Sequence, residues 1–481
     1  MSIMRFLASG LALAATLSAS RAEGAVESRL ISIEPCEFKA GSGTVEAECG
    51  LIAVPETHYA ETDVEIRLPF VRFKSTSPEP TSTIVYLAGG PGGSGIGTAK
   101  SQRFAMFMKL REAGDVIALD QRGTGNAVPS LAYDMSPELP MDQPANFATW
   151  TPLVEAKFTE CAKHFRDKGI TLAHYNTKES AADVDALRRA LGLEKISLWG
   201  TSYGTHLSCA VVRYHGEHLD RVILAGAEGP DHTFKLPSTT QAYYEKFSAD
   251  LASRPEFAEK IPDLLAMTKR ILDRLEREPA RLDWQGGTLA LGPVDVQLFI
   301  AESVGRRRSL YPLPAALYLA DQGDYRRIAG YAARIRVAPL GNGMSLAMDC
   351  ASGGSPERRE RLSAEGKALL VGNTSNFPFE NTCSALGIPD LGDEFRGPLQ
   401  SKIPALFISG TLDARTPIAN AEELRQGFAT SYHVIVENAG HDEELFSLAP
   451  GLGDRMVAFL RGGAPSEDRI VYDTLEIAPI Q

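Results

Sequence analysis

No Cys-x-x-Cys pair occurs in the chain, which removes the spacing typical of zinc ribbons and thioredoxin-type redox sites. Basic residues are in deficit: 49 Lys and Arg against 61 Asp and Glu leave a net charge of −12. That sign argues against nucleic acid or an anionic membrane surface as a partner. Beyond the first twenty or so residues no segment is long and apolar enough for a membrane helix. No internal repeat or low-complexity tract is visible. What remains is an ordinary globular composition, 44% hydrophobic and 23% charged, in 481 residues. That length accommodates one large domain with an insertion, or two to three domains.

The N-terminus is set apart from the fold. Arg5 gives a positive start, Phe6–Ala19 is a short apolar run, and Ser18-Ala19-Ser20 or Ser20-Arg21-Ala22 offers a small-residue cleavage site. Residues 1–22 are therefore expected to be a secretory signal peptide, and the mature protein to be exported, periplasmic or extracellular. No cysteine follows the apolar run to carry a lipid anchor. Six cysteines, Cys36, Cys49, Cys161, Cys209, Cys350 and Cys383, fit an oxidising compartment. Six allow 15 connectivities, among which the local pairings Cys36–Cys49 and Cys350–Cys383 are favoured, with Cys209 read as a buried thiol.

Residues 64–73 alternate with period two, as a half-exposed strand does. Ile84–Ala88, Val116–Leu119, Ile196–Trp199, Arg221–Gly226, Pro404–Gly410 and His433–Val436 are apolar runs suited to burial on both faces. Helix-compatible stretches at Glu179–Leu191, Tyr203–Tyr214 and Ile418–Phe428 alternate with them, and an amphipathic helix is expected over Glu443–Leu460. This rhythm predicts an α/β fold built on a mostly parallel, doubly wound sheet. Between residues 231 and 390 the rhythm is lost and helical patterning dominates, which predicts an inserted, mainly helical cap. The expected division is thus signal peptide 1–22, α/β domain 23–230 and 391–481, and cap 231–390. Within the cap, Arg306-Arg307-Arg308 reads as a solvated helix face rather than a carboxylate-binding patch.

Gly200-Thr201-Ser202-Tyr203-Gly204 lies between a strand and a helix, the nucleophile-elbow arrangement. A serine there needs a base, and the base needs a partner that fixes its tautomer. Loops at the carboxyl ends of parallel strands share one edge of the sheet, so residues just past strands can converge. Ser202, Asp413 and His441 all meet that condition, in the order Ser…Asp…His of the α/β-hydrolase triad. The Tyr203 backbone N–H and either Gly89 or Gly90, at the end of another strand, are the candidate oxyanion donors. The loop around Gly89–Gly95 does not read as a phosphate cradle, because no Lys-Ser/Thr follows it. His215-Gly216-Glu217-His218 has metal-like spacing without a third ligand nearby and reads as a helix end; neither a metal nor another cofactor is expected.

Taken together, Ala-Gly-Gly-Pro-Gly-Gly-Ser-Gly (88–95), Asp-Gln-Arg-Gly-Thr-Gly (120–125), Gly-Thr-Ser-Tyr-Gly-Thr (200–205), Ser-Gly-Thr-Leu-Asp (409–413) and Ala-Gly-His (439–441) resemble the proline iminopeptidase and tripeptidyl-aminopeptidase family of α/β-hydrolases. The likeness runs from about Cys36 to Leu460. It implies an α/β-hydrolase fold with a helical cap and serine hydrolysis of an amide next to a free N-terminus. It also implies Gly89 or Gly90 in the oxyanion hole. Ala88 stands where iminopeptidases usually carry histidine, and Ala225–Pro230 where many secreted members have an Asp-Gly pair. The acid that would bind the substrate amine is therefore displaced, and Glu228, just past a strand on the catalytic edge, is the candidate. The expected reaction releases one or a few residues from a peptide N-terminus through an acyl-enzyme, at neutral-to-basic pH because a histidine base must be unprotonated. A carboxylic-ester hydrolase using the same triad is the alternative, with a peptide or a small ester as the partner in either case.

Overall fold

A ten-stranded sheet runs through the protein in the computed structural model, which describes residues 26–41, 43–378 and 382–480. The expected signal peptide lies outside the described residues. In chain order the strands are β1 (Arg29–Ala40), β2 (Gly43–Pro55), β3 (Glu65–Phe73), β4 (Thr83–Leu87), β5 (Val116–Leu119) and β6 (Ile196–Thr201). There follow β7 (Leu219–Ala225), β8 (Ala280–Trp284), β9 (Gly287–Leu291), β10 (Ala405–Gly410), β11 (Ser431–Glu437) and β12 (Ile470–Val471). The sheet order is β1-β2-β3-β5-β4-β6-β7-β10-β11-β12. From β5 to β12 all neighbours are parallel, while β1, β2 and β3 add an antiparallel edge.

The apolar runs become central strands for the reason their composition suggests. Every residue of β5, β6 and β10 is buried. Along β4, β5 and β6 alternate residues feed two separate cores: Val85, Leu87, Ile117, Leu119 and Leu198 on one face, Ile84, Tyr86, Val116, Ala118 and Trp199 on the other. Helices Thr177–Ala190 and Tyr203–His215 cover the first face, and Phe104–Leu110 with Leu452–Leu460 cover the second. The doubly wound α/β architecture is as expected.

The stretch from 231 to 390 divides between two cores. Helices Pro237–Ser253, Leu264–Arg277, Pro293–Ser303, Leu313–Asp321 and Arg326–Val337 share a third core of their own. Helix Gly343–Ser352 instead sends Met344, Leu346, Ala347 and Met348 into the first core of the sheet. The hairpin β8–β9 is a departure from the helical expectation. One further expectation is corrected. The closing helix is broken: a π-helical turn at Glu444–Leu448 stops before Pro450, which has no N–H to donate, and Gly451 turns through φ +72° before Leu452–Leu460 begins. The N-terminal hairpin β1–β2 and the 21-residue helix Phe147–Asp167 were not anticipated.

Disulfides join Cys36 to Cys49 across β1 and β2, and Cys350 to Cys383, the two local pairings favoured above. Cys161 and Cys209 are free and buried, and burial pushes the Cys209 thiol up to about 12. No helix among the described residues is long and apolar enough to cross a membrane.

Candidate active site

The backbone at Ser202 is constrained. Ser202 follows β6 with φ 54° and ψ −126°, a conformation that L-residues seldom adopt, and the next residue opens a helix. The turn closes only because its neighbours lack side chains. A Cβ on Gly204 would lie 2.0 Å from the Leu87 carbonyl oxygen, and one on Gly89 would lie 2.9 Å from Ser202 Cβ. The Ser202 N–H donates to the Ala225 carbonyl at 3.0 Å, so the turn is pinned to the end of β7.

Asp413 and His441 arrive from the ends of β10 and β11. His441 Nε2 lies 2.9 Å from Ser202 Oγ, and His441 Nδ1 lies 2.8 Å from Asp413 Oδ2. The carboxylate can only accept from Nδ1, so Nδ1 carries the proton and Nε2 is left to accept from the serine hydroxyl. Asp413 is fully buried and accepts further bonds from Thr416 Oγ1 at 2.6 Å and from the backbone N–H groups of Arg415 and Thr416 at 2.9 Å. Burial alone would raise its pKa, but His441 and the Thr416 donors outweigh it and hold the carboxyl below its ordinary value. The three sequence candidates are thus brought together in one hydrogen-bonded chain.

The His441 loop is held from the cap. The His441 N–H donates to the Gly305 carbonyl at 2.6 Å, and a Cβ on Gly440 would meet the Gly305 oxygen at 2.8 Å and Arg306 Cα at 3.1 Å. Below the site, Arg103 is buried and donates to Tyr86 Oη at 2.7 Å, Thr201 Oγ1 at 3.0 Å and both oxygens of Glu443. Its guanidinium also stacks over Phe446, whose ring meets His441 edge-on. Arg103 therefore ties the residue before Ser202 to the segment after His441. No motif in the sequence singled it out.

The two glycine-rich motifs are joined by one carboxylate. Asp120 accepts from Ser94 Oγ and the Ile96 N–H through Oδ1 and from the Asn126 N–H through Oδ2. This fixes the loop that presents Gly89 and Gly90 beside Ser202. Tyr203 opens the helix, with its hydroxyl 2.9 Å from Thr177 Oγ1.

Ser202, His441, Gly89 and Gly90 open onto a cavity of about 1120 Å³. Glu228 lies on its wall, as the sequence led one to expect, but it is not a free carboxylate: Lys235 Nζ sits 2.8 Å from its Oε2. Burial would push Glu228 up, and Lys235 with His206 brings it below its ordinary value. Asp349, half-buried in the same lining, is unpaired: its carboxylate has no hydrogen-bond or ion-pair partner among the described residues, whereas the other unpaired acids of the lining, Asp473 and Glu476, are exposed. Burial and the adjacent charge of Glu228 hold Asp349 well above the usual carboxylate range, against the opposing pull of Lys235 and Arg415. No motif in the sequence singles out Asp349, which lies on helix Gly343–Ser352 next to the disulfide-bonded Cys350. Arg306, Arg307 and Arg308 also line the cavity, so they are not simply a solvated face.

A serine, histidine and aspartate chain at the carboxyl edge of a doubly wound parallel sheet, beneath helices, defines an α/β-hydrolase. Residues 82–443 match the family described as alpha/beta hydrolase fold, which is more than half of the chain, and the protein belongs to that family. It is 24% identical over 454 residues to a tripeptidyl aminopeptidase of Streptomyces coelicolor, spanning 88% of this chain and 82% of that protein. It is 28% identical over 192 residues to the serine protease Hip1 of Mycobacterium tuberculosis, spanning 38% of this chain and 36% of that one.

Proposed function

We propose that the protein is an exported serine aminopeptidase that releases one or a few residues from peptide N-termini. Ser202 Oγ attacks the scissile carbonyl carbon while His441 Nε2 takes its proton; the C–N bond breaks as His441 returns that proton to the leaving amine. Water, deprotonated by the same histidine, then cleaves the acyl-enzyme ester and regenerates Ser202. Asp413 holds the imidazole tautomer and stabilises the imidazolium formed on the way. The Tyr203 N–H and a backbone N–H of Gly89 or Gly90 receive the oxyanion. The observation that carries the reading is the unbroken chain from Ser202 Oγ through His441 to Asp413 at the wall of a cavity large enough for a short peptide. The names of the relatives favour peptides, and the disulfides suit an oxidising compartment.

The free amine is assigned to Asp349, with Glu228 and Lys235 as the pair behind it. The test is turnover by the purified mature protein of free-amino p-nitroanilides, their N-blocked counterparts and short p-nitrophenyl esters. Free-amino anilides are expected to be cut at least tenfold faster than blocked ones; cleavage of esters alone would sink the peptidase reading, and equal cleavage of blocked and free anilides the amine recognition.

A pH dependence follows from the raised Asp349. Below its elevated pKa the group is neutral and offers no charge to an ammonium; above it the carboxylate is present. KM for a free-amino substrate is therefore expected to fall as pH rises through that titration, separately from kcat. Asp349→Asn should raise KM roughly tenfold at the alkaline end and flatten its pH dependence, as steady-state kinetics between pH 5 and 9 would reveal. A KM profile unchanged by Asp349→Asn removes the residue from substrate binding.

A further inference from the structure

The cavity wall carries guanidinium groups that the hydrolytic machinery leaves unused. Of its other basic groups, Arg103 is spent on Glu443, Tyr86 and Thr201, and Lys235 on Glu228. Arg307 donates to the carbonyls of Asn438, Asp473 and Thr474. Arg308 differs: it is exposed on the wall and has no hydrogen bond or ion pair among the described residues. Arg415 has its backbone N–H pinned to Asp413, yet among the described residues its side chain comes no nearer to a carboxylate than 3.9 Å, from Glu302. Arg306 reaches Asp442 at 3.2 Å, while its buried Nε has no hydrogen-bond partner among the described residues and lies 3.9 Å from the same Glu302. Glu302 thus tempers the charge of two arginines at a distance too long for a hydrogen bond.

Both segments bearing these groups are fixed to the proposed catalytic residues. Gly305 accepts from the His441 N–H, and Arg415 lies two residues beyond Asp413. The cavity lining carries seven Asp and Glu beside its six Lys and Arg, so the spare guanidinium donors of Arg308 and Arg415 are local binding groups on a wall of mixed charge. Planar N–H donors of this kind match a carboxylate, and bonds to ionised acceptors are the strong ones.

We infer that Arg308 and Arg415 form a subsite for a carboxylate of the bound peptide. Together with Asp349 it makes the cavity complementary to a short zwitterionic peptide rather than to the end of a long chain. This rests on the peptide reading above. The carboxylate has two possible sources, the C-terminus of a short peptide or an acidic side chain, and the experiment separates them.

Peptide binding is measured by calorimetry on the full mature protein carrying Ser202→Ala, so that nothing is consumed. Four tetrapeptides with free amines are compared: neutral with a C-terminal carboxylate, neutral and amidated, and two amidated peptides with Glu or Gln as the last residue. The carboxylate peptide is expected to bind about tenfold more tightly than its amide, and Arg308→Gln with Arg415→Gln to erase that ratio. If instead the amidated Glu peptide gains over its Gln twin and the C-terminal carboxylate does not, the subsite holds and reads a side chain. Equal affinities for all four, no measurable binding of either carboxylate peptide, or a ratio untouched by the arginine substitutions would overturn it. A protein that binds carboxylate peptides in this ratio but leaves them uncut in its Ser202 form fails as a peptidase while keeping the subsite.

Discussion

Replacing Ser202 by alanine should lower kcat on any accepted anilide or ester by a factor on the order of 10⁵ or more, without changing the fold. The hydroxyl is the only group of the chain that forms a bond to the substrate in the proposed reaction, and His441 without it has nothing to deprotonate but water. The oxyanion donors and the cavity persist, so a residual rate above that of water is expected. The alanine should be tolerated sterically, because the strain at this position lies in the backbone rather than in the hydroxyl. Asp413→Asn should cost about 10⁴-fold, since an amide facing Nδ1 permits the tautomer in which Nε2 carries the proton and cannot act as base. Stopped-time assays at high enzyme concentration read both losses, with near-native thermal unfolding as the control for Ser202→Ala. Activity surviving in that variant, at more than a thousandth of the native rate, would remove Ser202 as the nucleophile.

The largest effect on stability is expected at Arg122, which does not line the cavity. Its side chain is fully buried and donates from Nε and Nη2 to the two oxygens of Asp183, each at 2.7 Å. Nη1 donates to the carbonyls of Glu56 and His174, and the Glu179 carboxylate lies 3.8 Å away. Arg122→Leu would leave Asp183 and Glu179 buried beside each other without their cation, and two carbonyls without a donor. Losing one partner of a buried pair costs about 3–5 kcal/mol, much of it the penalty of the stranded charge. Burial would raise the Asp183 carboxyl, but Arg122 and His58 hold it below its ordinary value, so the stability it contributes is present above the unfolded-state value near 4 and fades as pH falls through the folded value. The variant's deficit should therefore be largest at neutral pH and narrow below about pH 4, where protonation removes the stranded charge. Urea melts at pH 7 and pH 3.5 measure both; a deficit independent of pH would mean that lost packing, not charge, sets the cost.

Legibility of the sequence followed the strength of the local constraint. The central strands were plain because burial on both faces demands unbroken apolar runs, and β5 matched residue for residue. Ser202, Asp413 and His441 could be placed because parallel strands deliver their ends to one edge. The β1–β2 hairpin carries a mixed, half-exposed pattern with little periodicity to read. Helix Phe147–Asp167 holds Pro152 in its first turns, which disguised its start. The substrate side was least legible. Asp349 and Arg415 acquire meaning only when a cap helix and a strand-end loop meet at one cavity, and such encounters leave no spacing in the chain. Glu228 lay where expected, yet its pairing with Lys235 could not be foreseen.

The bond from the His441 N–H to Gly305 bears on how portable the parts of this enzyme are. Gly305, at φ +105°, packs against Ala414, which itself contributes to the cap core, so the loop holding the proposed general base and the loop holding its proposed acid are both seated on the inserted segment. An exchange of caps between relatives, made to transplant a substrate preference, would remove the bench on which the base is mounted along with the specificity. A working chimera has to carry residues 305–308 and the loops at 413–416 and 439–444 as one unit. In this hydrolase the unit of inheritance for specificity and the unit for catalysis overlap, and neither can be traded alone.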